Sequence, residues 1–365
     1  MEARGVETMA RRFCANGPVR RVEPLDGGHI HQTWMVESGE GGFVLQGLNN
    51  EIFADCVQMM DNVLRVASHL ARAARRSGVA DPERRAVQVL PTADGALLAY
   101  DADLRPWRAF RRIDGAMSQA VVESPAVAHE VGRAFGRFFV QVQDLPGRAL
   151  EETIPGFKDF RRRKDDFEFV VDVDPFGRAS TCRREIEGVR HYHRLVKTIA
   201  AAWDSDRLPV RIVHNDAKAA NVLLDGSTGE ALCVIDLDTV AYGTVLYDIG
   251  DLLRSATVTS AEDAIDLGGL AVRDNLLEAA LDGYLSEAGD ILTAGERDFI
   301  PMAGPLMAYE AAMRFLTDHL AGDTYFRIDR PRHNLDRART QLRVLEVLDR
   351  AGDRVAALVA AAAKA

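Results

Sequence analysis

The stretch RIVHNDAKAANVLLDGSTGEALCVIDLDTV, residues 211–240, places polar side chains at the ends of apolar runs. The runs around residues 210–213, 222–225 and 231–236 predict short strands, and GSTGE predicts the turn between the last two. Asp216, Lys218 and Asn221 follow the first run, and Asp236 ends the third. Polar groups at strand ends can project into one cleft, so this stretch predicts a functional site.

The spacing D-x-K-x-x-N, with an aspartate fifteen residues later, suits phosphoryl transfer. Asp216 can orient and deprotonate an attacking hydroxyl, and Lys218 can lie over the transferred phosphate. Asn221 and Asp236 offer hard oxygen ligands for Mg²⁺, with Asp238 as an outer group or a ligand for a second ion. Each residue alone could cap a loop. The combination in a strand-turn-strand context favours the catalytic interpretation.

Composition limits the possible partners of the 365-residue chain. Charged residues make up 27%, and the formal net charge is -10, which opposes a general nucleic-acid or membrane-surface role. The N-terminal sequence lacks an apolar signal core, and no apolar run reaches the length of about 18 residues that spans a membrane. We therefore expect a cytoplasmic protein. The only lysines are Lys158, Lys164, Lys197, Lys218 and Lys364, so a lysine inside the motif is conspicuous.

Two different patterns divide the chain. Before residue 114, short strand candidates (VRRVEPL, GGHIHQTWMV, GFVLQGL, RAVQVLPT and ALLAYDA) surround one helical pattern, IFADCVQMMDNVLRVASHLARAARR. After Gly115 most segments have helical periodicity, beginning with SPAVAHEVGRAFGRFFVQVQDL. These patterns predict an α+β protein with a small β-rich lobe, residues 1–114, and a larger, mainly helical lobe, residues 115–365.

HNDAKAAN and VIDLDT resemble the catalytic and metal-binding loops of protein-kinase-like phosphotransferases, the superfamily of aminoglycoside phosphotransferases and choline kinases. Longer segments, including FVLQGLNNEIF, ETIPGF, VIDLDTVAYGTVLYDIGDLLR and RFLTDHLAGDTYF, occur in the order typical of bacterial N-acetylhexosamine 1-kinases. This resemblance covers roughly residues 20 to 345. It implies a two-lobed kinase-like fold, a sugar acceptor and the cofactors ATP and Mg²⁺.

The resemblance also implies where the nucleotide binds. LDGGHIH would be the turn over the phosphates, although an ordinary hairpin turn fits it as well, and AFRRIDG would contact adenine. A typical kinase has a lysine on the third strand, where FVLQ offers only a glutamine. The implied nucleotide-binding residues are Gly27, Gly28, His29, Ile30, Gln46, Phe110 and Arg112.

Roles in the C-terminal lobe follow from the same resemblance. Asp216 would be the base acting on the anomeric hydroxyl, with Lys218 touching the γ-phosphate or the acceptor. Asp248 would brace the catalytic loop through backbone amides. Arg314 and Tyr325 would bind the acceptor, since an arginine fork can hold hydroxyl or carbonyl oxygens and a tyrosine can stack and donate one hydrogen bond.

Other functions stay open at this stage. The strongly acidic chain would also suit a cationic aminoglycoside or amino-sugar antibiotic as acceptor. A non-catalytic nucleotide-binding regulator could keep the fold, but it would have no chemical need of Asp216, Lys218, Asn221 and Asp236 together. A protein kinase is disfavoured, because no APE-like activation segment follows DLDT. The sequence leaves the identity of the sugar and the oligomeric state undetermined.

Overall fold

The computed structural model describes residues 3–14, 17–25, 30–259 and 263–363. Its backbone contacts divide the chain into two units. The first comprises Met1–Ala116, Asp144–Pro155 and Leu232–Ala241, and the second comprises Met117–Gln143, Gly156–Ala231 and Tyr242–Ala365. The segment with Asp236 and Asp238 thus groups with the N-terminal unit, whereas the sequence placed it in the C-terminal lobe. The predicted boundary between residues 114 and 115 stays a prediction.

The first unit is built on an antiparallel sheet. Its elements are α1 (Ala3–Arg12), β1 (Val19–Pro24), β2 (Gln32–Ser38), β3 (Gly41–Gly47), α2 (Cys56–Ser77), β4 (Val89–Leu90), β5 (Ala99–Tyr100) and β6 (Pro106–Arg111). The strands follow the order β1-β2-β3-β6-β4, and β5 also pairs with β6. In this register Gln46 of β3 lies opposite Arg108 of β6.

Alternation of side chains gives this sheet one buried face. Phe43 and Leu45 on β3 pack with Val36, Trp107 and the apolar side of α1. The amphipathic helix α1 was not predicted from the sequence, where MEARGVETMARR reads as a polar N-terminus. The apolar residues of α1 are few, but they lie on one side of the helix, and burial of that side against the sheet stabilises it.

Helices dominate the rest of the chain. The remaining elements are β7 (Ala116–Ser118), α3 (Pro125–Val142), α4 (Phe160–Val173), α5 (Arg183–His191), α6 (His193–Asp204), β8 (Arg211–Val213), β9 (Val222–Asp225), β10 (Ala231–Val234), β11 (Ala241–Gly243), α7 (Val245–Ala256), α8 (Asp274–Ala288), α9 (Ala294–Leu320), α10 (His333–Arg350) and α11 (Gly352–Ala362). Ser124 caps α3, since its side chain accepts a hydrogen bond from the backbone N–H of Val127. The predicted α+β class, with a β-rich first part and a mainly helical second part, is confirmed.

A glycine brings α7 and α9 of the second unit close together. A Cβ atom added to Gly250 would lie 2.3 Å from the carbonyl oxygen of Ala303, so only glycine permits this approach. Both helices carry a buried carboxylate, Asp251 on α7 and Glu310 on α9, and these two side chains belong to the candidate site. None of the helices in the described ranges has the length and apolar composition of a membrane span.

Candidate active site

The loop after β8 forms a compact hydrogen-bonded unit around Asp216. Lys218 Nζ lies 2.7 Å from Asp216 Oδ2, and Asn221 Nδ2 donates to both Oδ2 and the carbonyl oxygen of Asp216, each at 2.9 Å. No described group donates to the other carboxylate oxygen, Oδ1. The side chain of Asp216 remains 27% exposed. The structure thus brings three of the predicted residues together and leaves one oxygen of Asp216 free to accept a proton.

Charge keeps Asp216 ionised. Burial by itself would raise its pKa, but the Lys218 ammonium and, more weakly, His214 and Lys158 hold the pKa of Asp216 below its usual value. The side chain is therefore a carboxylate throughout the neutral range and can accept a hydrogen bond from an incoming hydroxyl.

Asp248 on α7 fixes the start of this loop. Its two carboxylate oxygens accept hydrogen bonds from the backbone N–H groups of His214 and Asn215, both at 2.8 Å. Asn215 has a positive φ of 65°, a conformation that costs free energy in a non-glycine residue unless its surroundings impose it. Complete burial raises the pKa of Asp248 to about 6. The bracing role implied by the resemblance is confirmed for this aspartate.

A set of buried and partly buried charges in the same unit lies on α4 and the segment before it, on α7 and on α9. We call it the charged cluster and define it as Lys158, Arg163, Asp251, Arg254, Glu310 and Arg314. Lys158 Nζ lies 3.7 Å from Asp251 Oδ2 and 3.9 Å from Glu310 Oε2. Arg254 Nε lies 3.0 Å from Asp251 Oδ1, and Arg314 Nη1 lies 3.2 Å from Glu310 Oε1. The positive charge of Lys158 also contributes to lowering the pKa of Asp216 in the loop after β8.

The two residues predicted to bind the acceptor meet at the edge of the charged cluster. Arg314 Nη2 lies 3.3 Å from the hydroxyl oxygen of Tyr325. The Arg314 guanidinium also lies 5.3 Å from the ring centre of Phe157 and 5.2 Å from that of Phe326. Aromatic faces around a guanidinium hold it in one orientation and leave its edges available for oxygen acceptors.

Asp318 fixes the segment that carries Tyr325. Its Oδ1 accepts hydrogen bonds from the backbone N–H groups of Thr324 and Tyr325 at 2.9 and 2.8 Å, and its Oδ2 accepts one from Phe326 at 2.9 Å. Asn334 on α10 donates a further hydrogen bond to Oδ2 at 2.9 Å. This buried carboxylate therefore sets the position of the Tyr325 ring relative to α9.

In the first unit, Asp238 belongs to a buried ion pair. Arg108 on β6 contacts both of its carboxylate oxygens, at 2.5 and 2.7 Å, and His31 Nε2 lies 2.7 Å from Oδ2. Asn49 donates its backbone N–H to His31 Nδ1, so the imidazole proton lies on Nε2 and points to Asp238. Burial would raise the pKa of Asp238, but Arg108 and His31 hold it well below its usual value. These contacts oppose the metal-ligand role predicted for Asp238, because both oxygens are already bound.

Gln46 takes part in the same network. Its Oε1 accepts a hydrogen bond from Arg108 Nε at 2.9 Å, and its Nε2 donates to Thr33 Oγ1 at 3.2 Å. The cation next to the position of the missing third-strand lysine is thus Arg108, which is only 1% exposed and already neutralised by Asp238. The guanidinium of Arg108 is therefore used in contacts inside the protein, with Asp238 and Gln46.

The other predicted nucleotide-binding residues do not form one group among the described contacts. Arg112 pairs with Glu37 and, at 2.7 Å, with Asp114, and Phe110 lies below the Arg108 guanidinium. Ile30 is exposed. Gly27, Gly28 and His29 lie outside the described residues. Their predicted roles stay predictions.

Comparison with known proteins identifies the family. The model of the phosphotransferase enzyme family matches residues 21–290, which is more than half of the chain. The chain belongs to the phosphotransferase enzyme family. Several solved structures have the same fold as this phosphotransferase, and the three described next are distant from it in sequence.

Three of these structures show the range of acceptors in such relatives. A microcompartment-associated aminopropanol kinase is 16% identical, with a TM-score of 0.59, over 96% of this chain and 98% of that chain. A choline kinase from Cryptosporidium parvum is 14% identical, with a TM-score of 0.54, over 98% of each chain. A spectinomycin phosphotransferase in complex with ADP and spectinomycin is 14% identical, with a TM-score of 0.52, over 92% and 94%. At these identities the likeness establishes the fold alone.

Oxygen ligands suited to Mg²⁺ are present in the phosphotransferase. Asn221 uses its amide nitrogen on Asp216, which leaves its side-chain oxygen without a described donor. Asp236 is exposed and has a positive φ of 62° at the start of a 3₁₀ turn. Across the described residues no group of three or more His, Cys, Asp or Glu side chains is arranged to hold a metal ion.

Sequence reasoning missed several members of the site. Lys158, Glu310 and Arg163 lie outside the family-like segments, and Arg163 sits in the run RRRK, which has the pattern of a solvated helix face. Asp251 lies inside VIDLDTVAYGTVLYDIGDLLR but was given no role. The one available signal was the scarcity of lysine, since Lys158 is among only five. Nothing in the sequence indicated that Arg108 would form a buried ion pair, because it simply alternates with apolar residues in a predicted strand.

Proposed function

We propose that the protein transfers the γ-phosphate of ATP to a sugar hydroxyl, and that its acceptor is the anomeric hydroxyl of an N-acetylhexosamine. The observation that carries the proposal is the geometry of Asp216. One of its oxygens is bound by Lys218 and Asn221, the other has no described donor, and the side chain as a whole is 27% exposed. This arrangement suits a base that receives a hydroxyl proton from a substrate.

In the proposed reaction, the sugar hydroxyl donates a hydrogen bond to the free oxygen of Asp216. As the new O–P bond forms, the bond between the γ-phosphorus and the bridging oxygen breaks, and the hydroxyl proton passes to the carboxylate. ADP leaves with the electron pair of the broken bond. Lys218 stabilises the negative charge on the transferred group, since its ammonium is held next to the base at 2.7 Å.

The nucleotide and metal roles are part of the proposal. Family membership, together with the ADP bound to the spectinomycin enzyme, supports a nucleoside triphosphate as donor. Asn221 and Asp236 are the proposed oxygen ligands of Mg²⁺, which would neutralise charge on the phosphate chain. Gln46, Phe110 and Arg112 keep their proposed contacts with the nucleotide, as do the glycines before Ile30.

Arg314 and Tyr325 support a sugar acceptor. Together they offer several donors and an aromatic face, which is the combination that binds a hydroxylated ring. A cationic aminoglycoside remains a second candidate because a spectinomycin phosphotransferase has the same fold. The charged cluster opposes it, since its carboxylates, Asp251 and Glu310, are already paired with cations.

An acceptor panel tests the proposal. Purified protein with Mg-ATP is given N-acetylglucosamine, N-acetylgalactosamine, their unacetylated amino sugars, choline and several aminoglycosides, and ADP release is measured in a coupled assay. We expect turnover with the N-acetylated sugars. Turnover confined to cationic antibiotics would replace the sugar proposal. Absence of turnover together with failure to bind Mg-ATP by calorimetry would favour a non-catalytic protein.

A further inference from the structure

The turn after β10 has an unusual backbone conformation at its first residue. Asp236 is exposed and has a φ of 62°, in the left-handed region. The 3₁₀ turn Leu237–Thr239 follows directly, and all three of its residues are buried. A residue other than glycine keeps a left-handed conformation only where its surroundings impose it. Contacts that fix the buried turn therefore also fix the backbone of Asp236.

The middle residue of the turn, Asp238, is bound through its side chain. Arg108 on β6 donates to both carboxylate oxygens, and His31 donates from Nε2 to Oδ2 at 2.7 Å. Gln46 on β3 orients the arginine, since its Oε1 accepts from Arg108 Nε at 2.9 Å. The side chains of Asp238 and Arg108 are only 2% and 1% exposed, so water competes little for these contacts. The turn is thus tied to β6 and, through Gln46, to β3.

A separate contact holds the backbone of the same turn. Thr153 donates its hydroxyl to the carbonyl oxygen of Asp238 at 2.6 Å. Thr153 lies in ETIPGF, a family-like segment in which it was given no role. The chain just before this segment is fixed to α2, because Asn62 donates from Nδ2 to the carbonyl oxygen of Glu151 at 2.7 Å. Different parts of the first unit therefore hold the side chain and the backbone of Asp238.

We propose that Arg108 and Thr153 are positioning residues for the metal ligand Asp236. By fixing the turn at Asp238, they keep Asp236 in the backbone conformation from which its carboxylate binds Mg²⁺. Residues that orient a metal ligand commonly determine metal affinity without touching the ion. This inference rests on the proposed function, which assigns Asp236 to Mg²⁺, and it gives the buried ion pair of Arg108 and Asp238 a role in that site.

Calorimetry on the full chain measures the contribution of the metal. The dissociation constant of ADP is determined with Mg²⁺ and again with EDTA, and the ratio of the two values is the factor by which Mg²⁺ strengthens binding. We expect this Mg²⁺ factor to fall to about one in Asp236→Asn and to fall similarly in Arg108→Met. Arg75→Met is the control and should keep the wild-type factor, because Arg75 is 57% exposed and pairs with Glu83 at the surface.

Thr153 offers a matched pair of variants. Valine has nearly the shape of threonine but cannot donate to the carbonyl oxygen of Asp238, whereas serine keeps the hydroxyl. We expect a lower Mg²⁺ factor in Thr153→Val and a nearly wild-type factor in Thr153→Ser. This pair decides the proposal alone if Arg108→Met, which leaves the Asp238 carboxylate buried without its cation, fails to fold. Equal losses in Thr153→Val and Thr153→Ser would contradict the proposal.

The Mg²⁺ dependence of turnover gives a second readout. The Mg²⁺ concentration for half-maximal kcat should rise by about 10- to 100-fold in Arg108→Met and by about 3- to 10-fold in Thr153→Val. At saturating Mg²⁺, kcat should return close to the wild-type value, with KM for the acceptor unchanged. A reduced kcat that excess Mg²⁺ does not restore would indicate a purely structural role and overturn the proposal.

Asp236→Asn separates this inference from the proposed activity. A lower Mg²⁺ factor in Asp236→Asn, with wild-type factors in Arg108→Met and Thr153→Val, would retain the metal site and overturn the positioning role. A wild-type factor in Asp236→Asn would overturn the assignment of Asp236 to Mg²⁺ and this inference with it. Loss of turnover in Asp216→Asn would still support the kinase proposal in that case.

Discussion

The loop after β8, which carries Asp216, Lys218 and Asn221 and which we propose is catalytic, contains partly buried charges, as does the charged cluster. The two are assembled differently. In the loop, Asp216, Lys218 and Asn221 lie within six consecutive residues and bind one another directly. In the charged cluster, Lys158 and Glu310 are separated by about 150 positions and meet only because α4, α7 and α9 pack together. The loop is thus a local structure, whereas the cluster depends on tertiary packing.

This difference suggests a division of tasks. Phosphoryl transfer needs a base and a cation in a fixed relation, which a short braced loop provides. Recognition of an acceptor needs groups on several sides of the substrate, which separate helices provide. We therefore expect changes in the loop to affect kcat and changes around the cluster to affect KM for the acceptor.

The largest effect is expected from Asp216→Asn. The amide cannot accept the hydroxyl proton, so kcat should fall by about 10³- to 10⁴-fold with KM for ATP nearly unchanged. Steady-state kinetics with the best acceptor measure it. Asp165→Asn is the control, because that carboxylate is 77% exposed. A near-normal kcat in Asp216→Asn would show that Asp216 is not the base.

Lys218→Met should lower kcat by about 10²-fold, because it removes the cation next to the base. It should also change the pH profile. The Lys218 ammonium holds the pKa of Asp216 down, so its loss raises that pKa, and the acid limb of kcat/KM moves to higher pH. The exposed Lys197→Met serves as control. An acid limb that stays in place would mean that Lys218 does not control the ionisation of Asp216.

Asp248→Asn should weaken the support of the loop. The amide keeps one acceptor and turns a donor toward the second backbone N–H, which costs about 1–3 kcal/mol. The pH dependence has a definite sign. Because burial raises the folded-state pKa of Asp248 to about 6, above the ordinary aspartate value of 3.8, its contribution to the free energy of unfolding is greatest at acid pH and is lost as pH rises through 6. The stability difference between wild type and variant should narrow between pH 5 and pH 7.5 in urea denaturation experiments, and a difference that widens would contradict the assigned pKa shift.

Asp318→Asn should have the smallest effect, and only KM for the acceptor should change. It removes one of the acceptors that hold the backbone of Thr324, Tyr325 and Phe326, so the Tyr325 ring becomes less fixed. We expect KM for the acceptor to rise by about 3- to 10-fold, in the range of one lost hydrogen bond, while kcat and KM for ATP change little. A fall in kcat with unchanged KM would place this segment in the chemical step instead.

The same contrast explains what the sequence could predict. The loop residues were found because their spacing is short and the flanking strands fix their direction, whereas the brace by Asp248 came from the family resemblance. Arg314 and Tyr325 came only from the family resemblance, although the structure does bring them together. Lys158, Asp251, Glu310 and Arg163 could not be paired from sequence, since no local pattern records which helix faces meet. Asp238 was predicted to be an outer group or a ligand for a second ion. Its ion pair with Arg108 could not be predicted, because the two residues are 130 positions apart and no local pattern links them.

In the proposed reaction, the loop that carries Asp216 transfers phosphate to the anomeric hydroxyl of a sugar. Phosphorus NMR of the product from Mg-ATP and an N-acetylhexosamine tests it most directly. We predict a new phosphate signal coupled to the anomeric proton, together with loss of the reducing end. A phosphate ester elsewhere on a sugar whose reducing end is intact, or a product formed only from cationic antibiotics, would contradict it.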